Sequence, residues 1–204
     1  MRKNWLVSEV KKADISKDYV ILENQETRSY LDGLLLNRFW PVIWSNLEGS
    51  GYNYYPQDAP KTEFEIEHIL TRSLTFMLID RDRAFFRGTL SCSMEHWMLK
   101  SEFFLSLSKV NDPQPIFEIL GNSRLRGNPP ELSVDKMSDS YYQITMHAGN
   151  GAGWGLYDED TVEKRIREVI DTNIEMHEFV EEGILSPRDT GEFLTIAYKV
   201  YEAY

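Results

Sequence analysis

Cysteine is almost absent from this sequence, since Cys92 is the only one. A single cysteine forms no intramolecular disulfide, and this usage predicts a reducing, cytoplasmic compartment. The four histidines, His68, His96, His147 and His177, show none of the spacing of a local metal motif such as H-E-x-x-H. The sequence therefore predicts no metal and no other cofactor, and a metal site would have to be assembled from distant segments.

Long apolar runs are absent as well. No window approaches the roughly 18–20 apolar residues that a membrane-spanning helix requires. Near the N-terminus, the apolar stretch at residues 5–7 is too short for the core of a signal peptide. We therefore expect no insertion into a membrane and no secretion signal.

Positive charge is scarce, above all at the C-terminal end. The formal net charge is −11; residues 1–150 contain 20 acids and 17 bases, whereas residues 151–204 contain 13 acids and only 5 bases. An acidic surface repels phosphate backbones, which disfavours direct nucleic-acid binding and favours a basic protein partner. The simpler alternative is that like charge only keeps the protein dispersed in solution.

The middle of the chain carries strand patterns. Apolar side chains alternate with Glu63, Glu65 and Glu67, which is the period of a half-buried strand. Residues 73–80 and 83–91 follow as two further strands around a charged turn. Together the three segments predict an antiparallel meander.

The C-terminal quarter has the spacing of two helices. An apolar stripe runs along the first helix and consists of Val162, Ile166, Val169, Ile170, Ile174 and His177. Gly183 stands where a left-handed C-cap belongs. Ser186, Pro187 and Asp189 then supply an N-cap, a proline at the first helical position and an acid at the third. These signals predict a C-terminal αα-hairpin.

The other elements are predicted from shorter patterns. They are strands at residues 4–10, 18–23, 116–120 and 141–146, helices at residues 25–40 and 94–107, and loops at residues 48–61 and 121–139. Pro41 is expected to end or kink the first of these helices, and the second has a strand after about Ser101 as its alternative. We predict one α+β domain, residues 1–204, with helices packed on one face of the antiparallel sheet. Its sheet-rich part is residues 1–147, and its acidic helical end is residues 156–204.

A glycine-rich loop at residues 149–155 links a predicted strand to a predicted helix. It follows His147, which is the catalytic candidate if the protein is an enzyme, and it contains Trp154. Its G-x-G-x-G-x-G spacing matches neither a dinucleotide fingerprint nor a P-loop. Three interpretations stay open: an anion cradle at a helix N-terminus, a flexible connection that lets Trp154 tuck against the sheet, and a loop that binds a partner.

The candidate binding residues form two groups and one tryptophan. They are Tyr52, Tyr54, Tyr55, Trp154, Asp158, Glu159 and Asp160. The tyrosines lie among glycine, asparagine and proline, a composition typical of interface loops. The three carboxylates would repel a phosphate, attract a basic surface and satisfy a helix N-terminus.

The sequence carries no enzyme signature, because it has no G-x-S-x-G elbow and no basic residue next to Cys92. We therefore predict a non-catalytic, acidic binding protein of the inhibitor, immunity or anti-defence type that docks on a basic protein partner. One alternative is a small enzyme that uses His147 and the loop at residues 149–155 on an anionic or acyl substrate. The other is a subunit of a larger assembly. The sequence leaves the oligomeric state open.

Overall fold

The computed structural model describes residues 17–58, 60–66, 70–94, 96–110, 132–136, 141–149 and 158–198. The strands predicted at residues 4–10 and 116–120 lie outside these ranges. No helix in the described part of the chain is both long and apolar enough to cross a membrane.

Helices occupy both ends of the described chain. The α-helices are α1 (Lys17–Gly33), α2 (Trp40–Gly49), α3 (Glu159–Glu181) and α4 (Pro187–Tyr198), and a π-helical segment, Leu34–Phe39, joins α1 to α2. The strand predicted at residues 18–23 is wrong, because α1 includes them; a short apolar run does not by itself distinguish a strand from a helix. Pro41 does not end the helical path. It lies in the first turn of α2, which follows the π-helical segment directly.

The strands form one antiparallel sheet. They are β1 (Asn53–Tyr55), β2 (Glu63–Ile66), β3 (Leu70–Asp80), β4 (Arg83–Cys92), β5 (Trp97–Ser106), β6 (Leu132–Lys136) and β7 (Tyr141–Gly149). Their order is β1-β3-β4-β5-β7-β6, with β2 also paired to β3. Because β2 pairs with β3 and β3 pairs with β4, both in antiparallel fashion, the predicted meander and the α+β class are confirmed.

The helix predicted at residues 94–107 is wrong, since this segment contains β5. Burial alternates along the strand, and the residues buried on its core side are Trp97, Leu99, Ser101, Phe103 and Leu105. The opposite side also carries large apolar residues, including Met98 and Phe104, which hides the period of two in the sequence. The loops predicted at residues 48–61 and 121–139 each contain a short strand, β1 and β6.

One apolar core lies between the sheet and the helices. The sheet contributes buried residues from its central strands, among them Leu74, Phe76, Leu78, Phe86, Leu90, Phe103 and Ile144. The helices contribute Leu31, Leu35, Phe39, Ile43, Leu47, Val162, Ile166, Val169, Ile170 and Phe193. Cys92 is buried in the same core.

The two C-terminal helices contact each other and the end of the sheet. The rings of Phe179 on α3 and Phe193 on α4 have centroids 6.3 Å apart. In the connection between the helices, the Leu185 N–H donates to the Lys109 carbonyl oxygen at 2.8 Å. The left-handed cap expected at Gly183 is wrong, because the C-cap of α3 is Glu182 with φ −64°, and Gly183 has no positive φ. The αα-hairpin as a whole stays a prediction.

Candidate functional site

A groove of about 580 Å³ lies between α3 and α4. Its lining consists of Glu175, Glu178, Phe179, Glu182, Glu192, Thr195 and Ile196. Glu175 and Glu178 lie on α3, Glu182 is its C-cap, and all three are exposed. Their spacing of three and four residues places them along one side of the helix. The groove therefore combines four carboxylates with an apolar floor, and we call it the acidic groove.

The floor of the acidic groove is anchored in the core. Phe179 is half-buried against Phe193, which is fully buried and whose ring centroid is 5.8 Å from that of Phe103 on β5. Ile196 is only 7% exposed. Because these side chains are packed from below, a partner meets a preformed apolar surface and loses little affinity to reordering it.

Glu178, Glu182 and Glu192 give the acidic groove a negative charge that no neighbouring cation in the described ranges neutralises. None of its lining residues is basic, and no cation in the described ranges lies within salt-bridge distance of Glu178, Glu182 or Glu192. Like charges that stand together on one surface produce a field that attracts cations and basic side chains.

The predicted acidic residues Asp158, Glu159 and Asp160 lie at the other end of α3. Asp158 is the N-cap of α3, and its carboxylate accepts hydrogen bonds from the Thr161 hydroxyl at 2.8 Å and the Asp160 backbone N–H at 3.2 Å. The bond from Thr161, followed by the one from Asp160, lowers the pKa of Asp158. Arg38 lies 3.1 Å from Glu159 and 2.7 Å from Asp160, so an internal cation already neutralises part of this cluster.

The three candidate tyrosines have different environments. Tyr52 is half-buried, with its ring edge-on to Phe85 at a centroid distance of 5.0 Å. Tyr54 is also half-buried, and its hydroxyl accepts a hydrogen bond of 3.2 Å from Trp44 Nε1. Tyr55 is 59% exposed, so it is the tyrosine most accessible to a partner.

Two of the candidate site residues, His147 and Trp154, have side chains that the structure does not describe. The backbone of His147 lies in β7 opposite Lys100, but its side chain is outside the description. Trp154 and the loop after Gly149 lie outside it as well.

A second cavity, of about 410 Å³, surrounds a buried histidine that the sequence indicated only as a core residue. His177 on α3 is 7% exposed, and its ring is stacked on Phe85 with centroids 3.8 Å apart and planes 9° apart. Its Nε2 lies 3.1 Å from Oδ2 of Asp80, the last residue of β3. Tyr52 meets the histidine edge-on at 5.4 Å. We call this cavity the histidine cleft.

Burial raises the pKa of the Tyr52 phenol, and the carboxylates of Glu178 and Asp80 raise it further. Tyr52 therefore stays a neutral hydrogen-bonding phenol beside the histidine cleft at physiological pH. In the described residues, no group of three or more His, Cys, Asp or Glu side chains is arranged to hold a metal ion.

Comparison with known proteins adds no assignment. No family model, no curated protein and no solved structure matches the chain. The two cavities and their side chains are thus the basis for a functional proposal.

Proposed function

We propose that this protein is a non-catalytic binding protein whose acidic groove captures a basic segment of a protein partner. The observation that carries the proposal is the acidic groove itself, in which four glutamates flank a floor of Phe179 and Ile196. The sequence placed the acidic surface at the C-terminal helical end. The groove supports that prediction with residues further along α3 than the Asp158–Asp160 cluster.

Charge and shape select the occupant. A segment that presents one large apolar side chain between lysines or arginines would place the apolar group on Phe179 and Ile196 and its cations against the glutamates. The carboxylates would speed the encounter, whereas burial of the apolar group would provide most of the affinity. A nucleic acid fits this groove poorly, since its phosphates would meet four carboxylates.

Covering a basic surface also suggests how the protein would act. Basic protein surfaces attract anionic ligands such as nucleic acids or acidic proteins. When the acidic groove holds the basic segment of a partner, that segment can no longer bind the partner's own ligand. The proposed activity is therefore competitive inhibition, in keeping with the inhibitor, immunity or anti-defence type.

The test compares two variants with the same change in net charge. The groove variant carries Glu178→Gln, Glu182→Gln and Glu192→Gln. The control variant carries Glu48→Gln, Asp58→Asn and Asp82→Asn, which are exposed and do not line the groove. Asparagine tolerates the positive φ of 67° at position 82. Each protein is immobilised and exposed to lysate of the source cells at low and high salt, and bound proteins are quantified by mass spectrometry.

We expect a basic protein that wild type and the control variant retain at low salt and that the groove variant loses. With the isolated partner, the groove variant should associate about tenfold more slowly at low salt. Equal retention by both variants would place the binding surface elsewhere, and absence of any basic protein from all eluates would argue against this function.

A further inference from the structure

The histidine cleft shares no lining residue with the acidic groove. Its aromatic floor is formed by Phe85 and Phe103, with Val180 beside them, and Phe104 also lines the cleft. Its volume of about 410 Å³ lies within the range of roughly 300–1,000 Å³ that small-molecule sites occupy. The cleft is therefore large enough for an organic ligand with a planar apolar body.

The histidine of the cleft is held in one orientation. Because the carboxylate of Asp80 can only accept a hydrogen bond, Nε2 of His177 carries the proton in their 3.1 Å contact. The stack on Phe85 and the edge contact with Tyr52 fix the plane of the ring. Neutral imidazole in this tautomer has its acceptor at Nδ1, and protonated imidazole adds a positive charge.

Basic residues outnumber acidic ones in the lining of the cleft, although the chain has a net charge of −11. Arg81, Arg83 and Lys109 line the cleft, against two acids, Asp80 and Glu181. Both acids are already engaged: Asp80 with His177, and Glu181 with Lys109 Nζ at 3.3 Å and with Arg81 at 4.0 Å.

Arg83 is the cation available to a ligand. It is exposed, and no acid in the described ranges lies within salt-bridge distance of it. A guanidinium group presents a planar fork of N–H donors that matches a carboxylate or a phosphate. The hydroxyls of Ser106 and Ser108, which are 2.9 Å apart, add further donors beside the aromatic floor.

We infer that the histidine cleft binds a small organic anion, with a planar apolar body on the aromatic floor and its carboxylate or phosphate against Arg83. The apolar body supplies the burial and Arg83 selects for negative charge. This site goes beyond the proposed partner binding and does not depend on it.

The experiment uses the full chain and four probes: naphthoate, naphthyl phosphate, naphthalene methanol and inorganic phosphate. Each is titrated while backbone amide resonances are recorded by NMR. We expect saturable shifts at Phe104, Ser106 and Val180 with one of the naphthyl anions. Binding of the neutral alcohol should be about tenfold weaker or more, because a charge-assisted hydrogen bond is lost. The ratio between the two naphthyl anions shows which head group the site prefers.

Two variants test the role of Arg83. Arg83→Gln should weaken the preferred anion about tenfold and leave the neutral alcohol unchanged. Arg167→Gln removes an arginine on α3 that is 50% exposed and does not line the cleft, and it should bind like wild type. The groove variant should also bind the anion like wild type, which separates this inference from the proposed partner binding.

Three outcomes of the titrations with the naphthyl compounds would overturn the inference. They are shifts confined to residues outside the cleft, an equal loss of affinity in Arg83→Gln and Arg167→Gln, and no saturable shift with either naphthyl anion. Binding of inorganic phosphate alone, without either naphthyl compound, would also overturn it, because the aromatic floor would then have no part in recognition.

Discussion

Nδ2 of Asn173, in the middle of α3, donates a hydrogen bond of 2.9 Å to Oγ of Ser101 at the centre of β5. Both residues are buried, at 0% and 1% exposure, and Nδ2 also donates to the Val169 carbonyl oxygen at 2.7 Å. This polar contact inside an apolar layer favours the observed rotation of α3 on the sheet, because any other rotation breaks the hydrogen bond between Asn173 and Ser101. The same rotation sets the positions of His177 and of the α3 glutamates of the acidic groove.

The effects of removing Ser101 and Asn173 on the free energy of unfolding should not be additive. We expect Ser101→Ala to lower the free energy of unfolding by about 1–2 kcal/mol, since Asn173 loses one acceptor in a buried site. The double variant Ser101→Ala/Asn173→Leu should be more stable than the sum of the single effects predicts. Urea denaturation of wild type, Ser101→Ala, Asn173→Leu and the double variant measures these free energies of unfolding. Additivity to within about 0.3 kcal/mol would show that the two side chains are not coupled.

Gly88 on β4 leaves room for the ring of its cross-strand partner Phe76. A Cβ at position 88 would lie 2.3–2.9 Å from three atoms of that fully buried ring. We expect Gly88→Ala to destabilise the protein by about 1–3 kcal/mol or more through overpacking. Thermal and urea unfolding both report this loss.

Two further variants test the cause of the Gly88→Ala effect. The double variant Gly88→Ala/Phe76→Leu should lose less free energy of unfolding than the two single variants together, because the new methyl group clashes with the ring of Phe76. Gly191→Ala in α4, where a Cβ meets nothing within 4 Å, should be neutral or stabilise by up to about 1 kcal/mol. An equal loss at both glycines would point to backbone conformation instead of contact with Phe76.

The predicted capping box at the start of α4 is confirmed. The Ser186 N–H donates to Asp189 Oδ2 at 2.9 Å, and the Asp189 N–H donates to Ser186 Oγ at 3.4 Å. Ser186→Ala should therefore lower the free energy of unfolding by about 1 kcal/mol. Ser186→Thr keeps a hydroxyl at the cap and should retain most of the wild-type stability. If threonine is as destabilising as alanine, the hydroxyl does not act as a cap.

Local signals were sufficient for part of this fold. The turn between β3 and β4 is formed by two charged residues at positive φ, Arg81 and Asp82, where a charged turn was predicted. The start of α4 follows from its capping residues in the same way. The strand at residues 97–106 does not follow in this way, because Met98 and Phe104 on the outward side of β5 hide its period of two until the burial of alternate residues is known.

The candidate sites were less accessible to sequence analysis. His177 and Asp80 are 97 positions apart, and no pattern in either segment points to the other. The acidic groove was partly foreseeable: charge counting located the acidic end of the chain, and Glu175, Glu178 and Glu182 have helical spacing. The sequence does not show that Arg38, a cation from another helix, contacts Glu159 and Asp160.

A buried carboxylate lies on the side of β5 that faces away from Ser101. Glu102 is 3% exposed in its side chain and accepts hydrogen bonds from Arg87 Nε, from Lys100 Nζ at 2.7 Å and from Gln143 Nε2 at 2.8 Å. Burial alone would raise the pKa of Glu102, but the hydrogen bonds from Arg87 and Lys100 outweigh it, so the pKa lies below its usual value. The ionised form is therefore the one that stabilises the fold.

The sign of the pH dependence follows from this lowered pKa. Stability from ionised Glu102 is fully present above the unfolded-state pKa of about 4.3 and is lost as the pH falls through the lower folded-state pKa. At pH 7 we expect Glu102→Gln to cost about 1–2 kcal/mol, a moderate value because Arg87 and Lys100 are 38% and 36% exposed. The gap to wild type should narrow steadily as urea denaturation is repeated from about pH 5 down to about pH 2. Glu48→Gln, at an exposed position, should show no such change; a gap for Glu102→Gln that stays constant with pH would mean that steric fit, and not charge, makes the contribution.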